Sequence, residues 1–216
     1  MTTHNLDEGD TQPLSTGPLL SPARVAEYLS GLRVIDVWKH NETGLVTNPK
    51  LYHEQRGEVV GCILHATAGT DSLWYLTEGA VRDGRLVCAD QLIPKKPGII
   101  YTLVPPGFYP WHAGPEHWNG LRSLNQQMWG IEIENRNDGV DPYTESQYLS
   151  VAASWAYKAA ERHLFDHMLT LHRITAPTRR DDPKGWDLGR FWNYVRIIRQ
   201  PQVWPDFWPV KLWYHA

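Results

Sequence analysis

The chain has 216 residues, which suits one compact domain with a radius of gyration of about 17 Å and leaves little for a second. With 42% hydrophobic and 21% charged residues, most of it is expected to fold, and no apolar run approaches the roughly 20 residues that span a bilayer. The formal net charge of -3, without a basic stripe, gives no electrostatic basis for nucleic-acid binding, since Lys95-Lys96 and Arg179-Arg180 are pairs and not tracts.

Residues 1–20 carry Gly, Pro, Ser and Thr without periodicity and are expected to form a flexible arm. Met1 to Thr16 has neither a basic start nor an apolar stretch, so no secretory signal is expected there. Ser21-Pro22 opens a helix, because Ser caps free N–H groups and Pro suits the first helical position. Val25, Tyr28, Leu29 and Leu32 give that helix one apolar face. Val34 to Trp38 reads as a short strand. Gly57 to Thr67 contains the near-continuous apolar run Val59, Val60, Cys62, Ile63 and Leu64, which predicts a strand covered on both faces. It ends in the small-residue turn His65-Ala66-Thr67-Ala68-Gly69, which leaves His65 at the strand's C-terminal edge.

Residues 70–79 read as a short helix, and Leu86 to Ile93 with Ile99 to Val104 as a hairpin around Lys95-Lys96-Pro97-Gly98. In Met128 to Glu134, Trp129, Ile131 and Ile133 alternate with Gly130, Glu132 and Glu134, the period of a strand. Thr144 and Gln147 form a capping-box pattern at the head of a helix running from Glu145 to Phe165. Its buried stripe is Tyr148, Val151, Ala152, Trp155 and Ala159. Met168 to His172 is strand-like, a loop rich in Pro and Arg runs to Trp186, and Asp187 caps a last helix carrying Leu188, Phe191, Val195 and Ile198. Residues 201–216 form an aromatic tail. Its Trp204, Trp208 and Trp213 are expected to pack back on the domain, with a sugar-binding platform as the alternative. Strands and helices interleave, so the fold class is mixed α/β, a central mixed sheet flanked by helices. Cys62 and Cys88 lie in apolar strand-like runs and read as buried free thiols, which suits synthesis in a reducing cytoplasm.

A catalytic zinc site takes three protein ligands and leaves a fourth position for water. His65 and His172 end strands, and Asp182 lies ten residues past His172 in the loop before the last helix. Strand ends converge at one edge of a sheet, so three such side chains are able to meet. Spacing alone makes no metal motif of them, and a lone His is more often a satisfied core or surface residue. His163 and His167 have i, i+4 spacing but lack the Glu of the His-Glu-x-x-His pattern, and read as a solvated helix end. No phosphate-cradling Gly-rich loop, Cys-x-x-Cys pair or Gly-x-Ser-x-Gly elbow occurs.

Five segments in order change that weighing: Ile63-Leu64-His65; Val87-Cys88-Ala89-Asp90-Gln91-Leu92-Ile93; Trp111-His112-Ala113-Gly114; Gly130-Ile131-Glu132-Ile133-Glu134; and His172 with Arg180-Asp181-Asp182-Pro183. From residue 57 to 199 the chain resembles the zinc-dependent N-acetylmuramoyl-L-alanine amidases, the type 2 amidase family that includes peptidoglycan recognition proteins. The resemblance implies that His65, His172 and Asp182 hold Zn2+, with Asp181 as the competitor for the third place. It implies that Glu132 activates the attacking water, while Glu134 is a surface neighbour. His112 resembles a site-lining His that contacts substrate, with a structural hydrogen bond as the other reading. Three positions depart from the family. Arg180 stands where Lys is usual, and its permanently protonated fork suits an oxyanion but not proton donation. Asp90 stands where His is frequent, and Ala89 where some members carry a catalytic Tyr, so more weight falls on Glu132.

The resemblance further implies that residues 21–200 are the amidase catalytic domain. Peptidoglycan or muropeptide is then the substrate, with no nucleic acid, no membrane insertion and a monomeric state. A phage endolysin-like protein of this kind is made in the host cytoplasm and acts on the cell wall after release. A cytoplasmic muropeptide-recycling amidase and a non-catalytic muropeptide-binding module are the alternatives.

Overall fold

The computed structural model describes residues 17–203. In chain order these form α1 (Pro22–Ser30), β1 (Arg33–Asp36), β2 (Tyr52–His53), β3 (Gly61–Ala66) and α2 (Ser72–Trp74), which passes through a π-helical turn into α3 (Ala80–Arg82). Then come β4 (Gln91–Ile93), β5 (Ile99–Thr102), β6 (Tyr109–Pro110), α4 (Leu124–Gln127), β7 (Met128–Ile133), α5 (Glu145–Arg162), β8 (Leu169–Leu171), α6 (His172–Thr175) and α7 (Leu188–Ile198). Six strands make one mixed sheet in the order β1-β5-β4-β7-β3-β8, and β2 pairs with β6 in a separate two-stranded ribbon. Only the β4–β5 pair of the large sheet is antiparallel, with Gln91 opposite Thr102 and Leu92 opposite Tyr101. Sequence and structure agree on a mixed α/β architecture.

β3 explains its own composition. It runs parallel between β7 and β8, and all six of its residues are buried. Alternate residues serve opposite faces. Cys62 and Leu64 join Ile131 and Ile133 of β7 in a core built with Trp155 of α5 and Phe191, Val195 and Ile198 of α7. Ile63 and His65 therefore face the other side. The strand starts at Gly61, later than the predicted Gly57, where a Cβ would lie 2.4 Å from the Met168 carbonyl oxygen and 2.8 Å from Met128 Cε. Gly61→Ala is expected to destabilise the protein by about 1–3 kcal/mol, measured by urea unfolding, because the closest atom is backbone and cannot step aside.

α5 begins as its sequence predicts. Thr144 Oγ1 accepts from the Gln147 amide at 3.2 Å, and Gln147 Oε1 accepts from the Thr144 amide at 3.0 Å. The Gln147 side-chain amide then donates to the Glu134 carbonyl at 2.8 Å, which ties the helix start to the segment leaving β7. The helix stops at Arg162 and not at Phe165, because His163 turns left-handed with φ 54° and sends its amide to Ala159. The predicted hairpin is also shorter than expected. Leu86 to Asp90 forms no strand, since the Cys88 amide donates to Trp111 and the Asp90 amide to Gly130. Of the predicted arm, residues 17–20 lie against α7: Arg190 donates to the Gly17 carbonyl, and the Leu20 amide donates to Tyr194. The rest of the arm, and Trp204, Trp208 and Trp213 of the tail, lie outside the described residues. Cys62 and Cys88 are buried free thiols, as expected.

Candidate metal centre

Parity and register assemble the site. β7 lies in parallel register with β3, so Glu132 stands beside His65 and Gly130 beside Ile63, on the face away from α5. β8 ends at Leu171, and the next residue, His172, opens the single turn α6. The following loop returns to this turn because the Arg173 amide donates to the Asp182 carbonyl at 2.8 Å and the Arg173 guanidinium to the Pro183 carbonyl at 2.7 Å. Three side chains far apart in sequence thereby meet.

His65 Nδ1 lies 2.9 Å from His172 Nδ1 and 3.7 Å from Asp182 Oδ2, and His172 Nδ1 lies 3.1 Å from Asp182 Oδ2. All three residues are buried. Ligands held about 2.05 Å from a tetrahedral ion stand about 3.3 Å from one another, so these spacings bracket the separation a small divalent metal needs. The donor set fits as well: lone pairs of two imidazoles and a carboxylate converging on one point repel unless a cation or a shared proton lies among them. Asp182 Oδ2 also accepts from the Ala66 amide at 3.3 Å, which fixes the carboxylate at the end of β3.

The electrostatics are those of a buried site. Burial pushes His65 well below the usual histidine range, reinforced by His172, His112 and Arg180. Burial likewise brings His112 down to about 3, helped by Arg56 and His172. Glu132 moves the other way, up to about 8, through burial first and the Asp182 carboxylate second, against the opposing pull of Arg180. One of its carboxylate oxygens, Oε2, has no hydrogen-bond partner among the described residues.

A pH dependence of stability follows for the metal-free protein. Between the ordinary value of 4.5 and about 8, folded Glu132 keeps a proton that the unfolded chain releases, so stability falls as pH rises through that window. His65 and His112, whose pKa values are lowered, work in the opposite direction, but only below their ordinary value of 6.5. From 6.5 to about 8 the Glu132 effect stands alone, worth about 2 kcal/mol. Glu132→Gln is expected to flatten that decline in denaturant titrations of chelator-treated protein.

The remaining predicted residues divide. Arg180 is exposed and lines a groove of about 340 Å³ with Trp111, His112, His172 and Arg179. Asp181 is exposed and accepts from Asn137, outside the cluster, while Glu134 is half-buried, not a surface residue, and accepts from the Lys95 amide. His163 and His167 are exposed at the helix end. Asp90 is buried in a two-pronged pair with Arg56 at 2.9 Å and accepts from the Gly130 amide at 2.8 Å, so the departure from the family pattern supplies a brace under β7. Sequence reasoning missed Arg56 and also Asn125, whose Oδ1 accepts from the amides of His112 and Ala113. Neither carries a periodic or spacing signal.

Fold and site together define a mixed-sheet protein with a buried His-His-Asp cluster at the strand ends, able to hold a metal ion, and a carboxylate beside it. The chain belongs to the N-acetylmuramoyl-L-alanine amidase family, which it matches over residues 55–185. It is 31% identical to the N-acetylmuramoyl-L-alanine amidase AmiD of Escherichia coli over 156 residues, 67% of this chain and 54% of AmiD. With the 1,6-anhydro-N-acetylmuramyl-L-alanine amidase AmpD of Enterobacter cloacae it shares 32% identity over 104 residues, 48% of this chain and 54% of that one. The solved complex of E. coli AmiD with anhydro-N-acetylmuramic acid-L-Ala-D-gamma-Glu-L-Lys superposes with a TM-score of 0.57 at 26% identity, covering 64% of this chain and 58% of that chain. The chain spans about half the length of the curated relatives it matches.

Proposed function

We propose that the chain is a zinc-dependent N-acetylmuramoyl-L-alanine amidase that hydrolyses the amide bond between N-acetylmuramic acid and L-alanine in peptidoglycan or its fragments. The observation that carries this reading is the meeting of His65, His172 and Asp182 within 4.8 Å, with Glu132 in register beside His65. Zinc held by those three residues supplies a Lewis acid for the scissile carbonyl and lowers the pKa of a water toward about 7. Glu132 takes the proton of the attacking water and returns it to the departing amine. Arg180, on the groove wall, faces the charge that develops on the carbonyl oxygen, a task its fixed positive charge suits. A module that only binds muropeptide has no need of a complete ligand set, which favours the enzyme.

Two substrates remain in view, because identity to AmpD favours soluble anhydromuropeptides whereas the lysin reading requires intact wall after release from the cytoplasm. Mass spectrometry of products from intact sacculi and from soluble anhydromuropeptide, digested in parallel, tests both. Release of free stem peptides beginning with L-alanine, abolished by a chelator and restored by zinc, is the expected result. Cleavage at another bond, or cleavage indifferent to chelation, overturns the proposal. The faster of the two substrates separates recycling from lysis.

A further inference from the structure

Both ring nitrogens of His112 have partners. Nε2 lies 3.2 Å from the Met128 carbonyl oxygen, and Nδ1 lies 3.0 Å from Nε2 of His65. A carbonyl only accepts, so the proton of the first contact sits on His112 Nε2. A neutral imidazole carries one N–H, which leaves His112 Nδ1 as an acceptor and places the proton of the second contact on His65 Nε2. His65 is then left with a bare Nδ1, the atom that faces His172 and Asp182. The reverse assignment sets the His112 Nε2 lone pair against a carbonyl oxygen and puts a proton on His65 Nδ1, which closes the cluster to a cation.

We propose that His112 is a positioning residue that relays the Met128 carbonyl through its ring, locks His65 in the Nε2–H tautomer and thereby presents the His65 Nδ1 lone pair to the metal. This rests on the reading of His65 as a metal ligand. The surroundings hold the relay in place from three sides. Asn125 Oδ1 accepts from the amides of His112 and Ala113 at 2.9 and 2.7 Å, which fixes the backbone that carries the ring. Gly130 provides the seat, for a Cβ there would lie 2.7 Å from His112 Cγ and 2.8 Å from its Nδ1. The two imidazole planes stand 89° apart with centroids 5.1 Å apart, and the 3.0 Å separation of His65 Nε2 from His112 Nδ1 is that of a hydrogen bond. A histidine ligand is oriented by what its other nitrogen bonds, and loss of such a partner typically weakens metal binding by about 10- to 100-fold.

Ring-nitrogen NMR of the metal-free protein is expected to show both His65 and His112 as Nε2–H tautomers. Zinc affinity, measured by competition with a chromophoric chelator, is expected to weaken by about 10- to 100-fold in His112→Leu. His112→Gln keeps an amide acceptor and an amide donor at similar reach and is expected to recover most of that loss. A proton on His65 Nδ1 in the wild type, or a folded His112→Leu protein that binds zinc as tightly as the wild type, overturns the relay and leaves the amidase reading intact. A wild type that binds no zinc overturns both. Where His112→Leu does not fold, the wild-type tautomers decide alone.

Discussion

Glu132→Gln is expected to lower muropeptide cleavage by about 10²–10⁴-fold while zinc content stays at the wild-type level. The amide fills the same volume and preserves the β7 register that sets residue 132 beside His65, so the ligand cluster keeps its shape. What it loses is a carboxylate able to accept a proton. In the metal-free site that carboxylate is a poor base at neutral pH, because burial and the nearby Asp182 favour its protonated form. A divalent ion held by His65, His172 and Asp182 would offset the Asp182 charge and so lower the Glu132 pKa from its metal-free value. On the proposed reading, a metal held there would arm Glu132 as the base. Product quantification alongside metal analysis of the same sample checks the prediction, and a zinc-loaded Glu132→Gln protein that cleaves at the parent rate removes Glu132 from the base role.

Local sequence signals place elements well wherever the chemistry is short-range. Ser21, Thr144 and Asp187 each accept from an amide three residues on, so the starts of α1, α5 and α7 fall where the capping residues put them. The apolar run of β3 announced a strand buried on both faces, and parallel neighbours on either side supply the reason. Element ends were less legible. Leu86 to Asp90 has the composition of a strand, yet its amides go to Trp111 and Gly130, and nothing within the segment records that choice. β2 and β6 are two residues each, too short for alternation to register. At the site, His65, His172, Asp182 and Glu132 were legible through the order of five family-like segments, not through spacing. The Arg56–Asp90 brace and the Asn125 bracket join residues that carry no shared pattern. Gly130 read as one more alternating position of a strand, whereas its missing Cβ is what admits the His112 ring.

Asp182→Ala is expected to weaken zinc binding by more than the about 100-fold that loss of an outer partner costs, and to bring hydrolysis down to that of chelator-treated protein. Asp181→Ala is expected to leave both unchanged, since the Asp181 carboxylate is exposed and occupied with Asn137. The adjacent pair therefore provides its own control for charge and for loop position. A second readout separates loss of a ligand from loss of fold. Asp182 is the charged neighbour that raises Glu132, so its removal lets the Glu132 pKa settle lower in the metal-free protein. The decline of stability between pH 6.5 and about 8 should then become shallower in Asp182→Ala and keep its wild-type slope in Asp181→Ala. Unchanged near-UV circular dichroism in Asp182→Ala is needed beside it, because loss of burial, the larger cause of the Glu132 shift, would flatten the decline in the same direction. Equal zinc affinity in the two variants would assign the third ligand elsewhere and leave the two imidazoles without the carboxylate that completes the set.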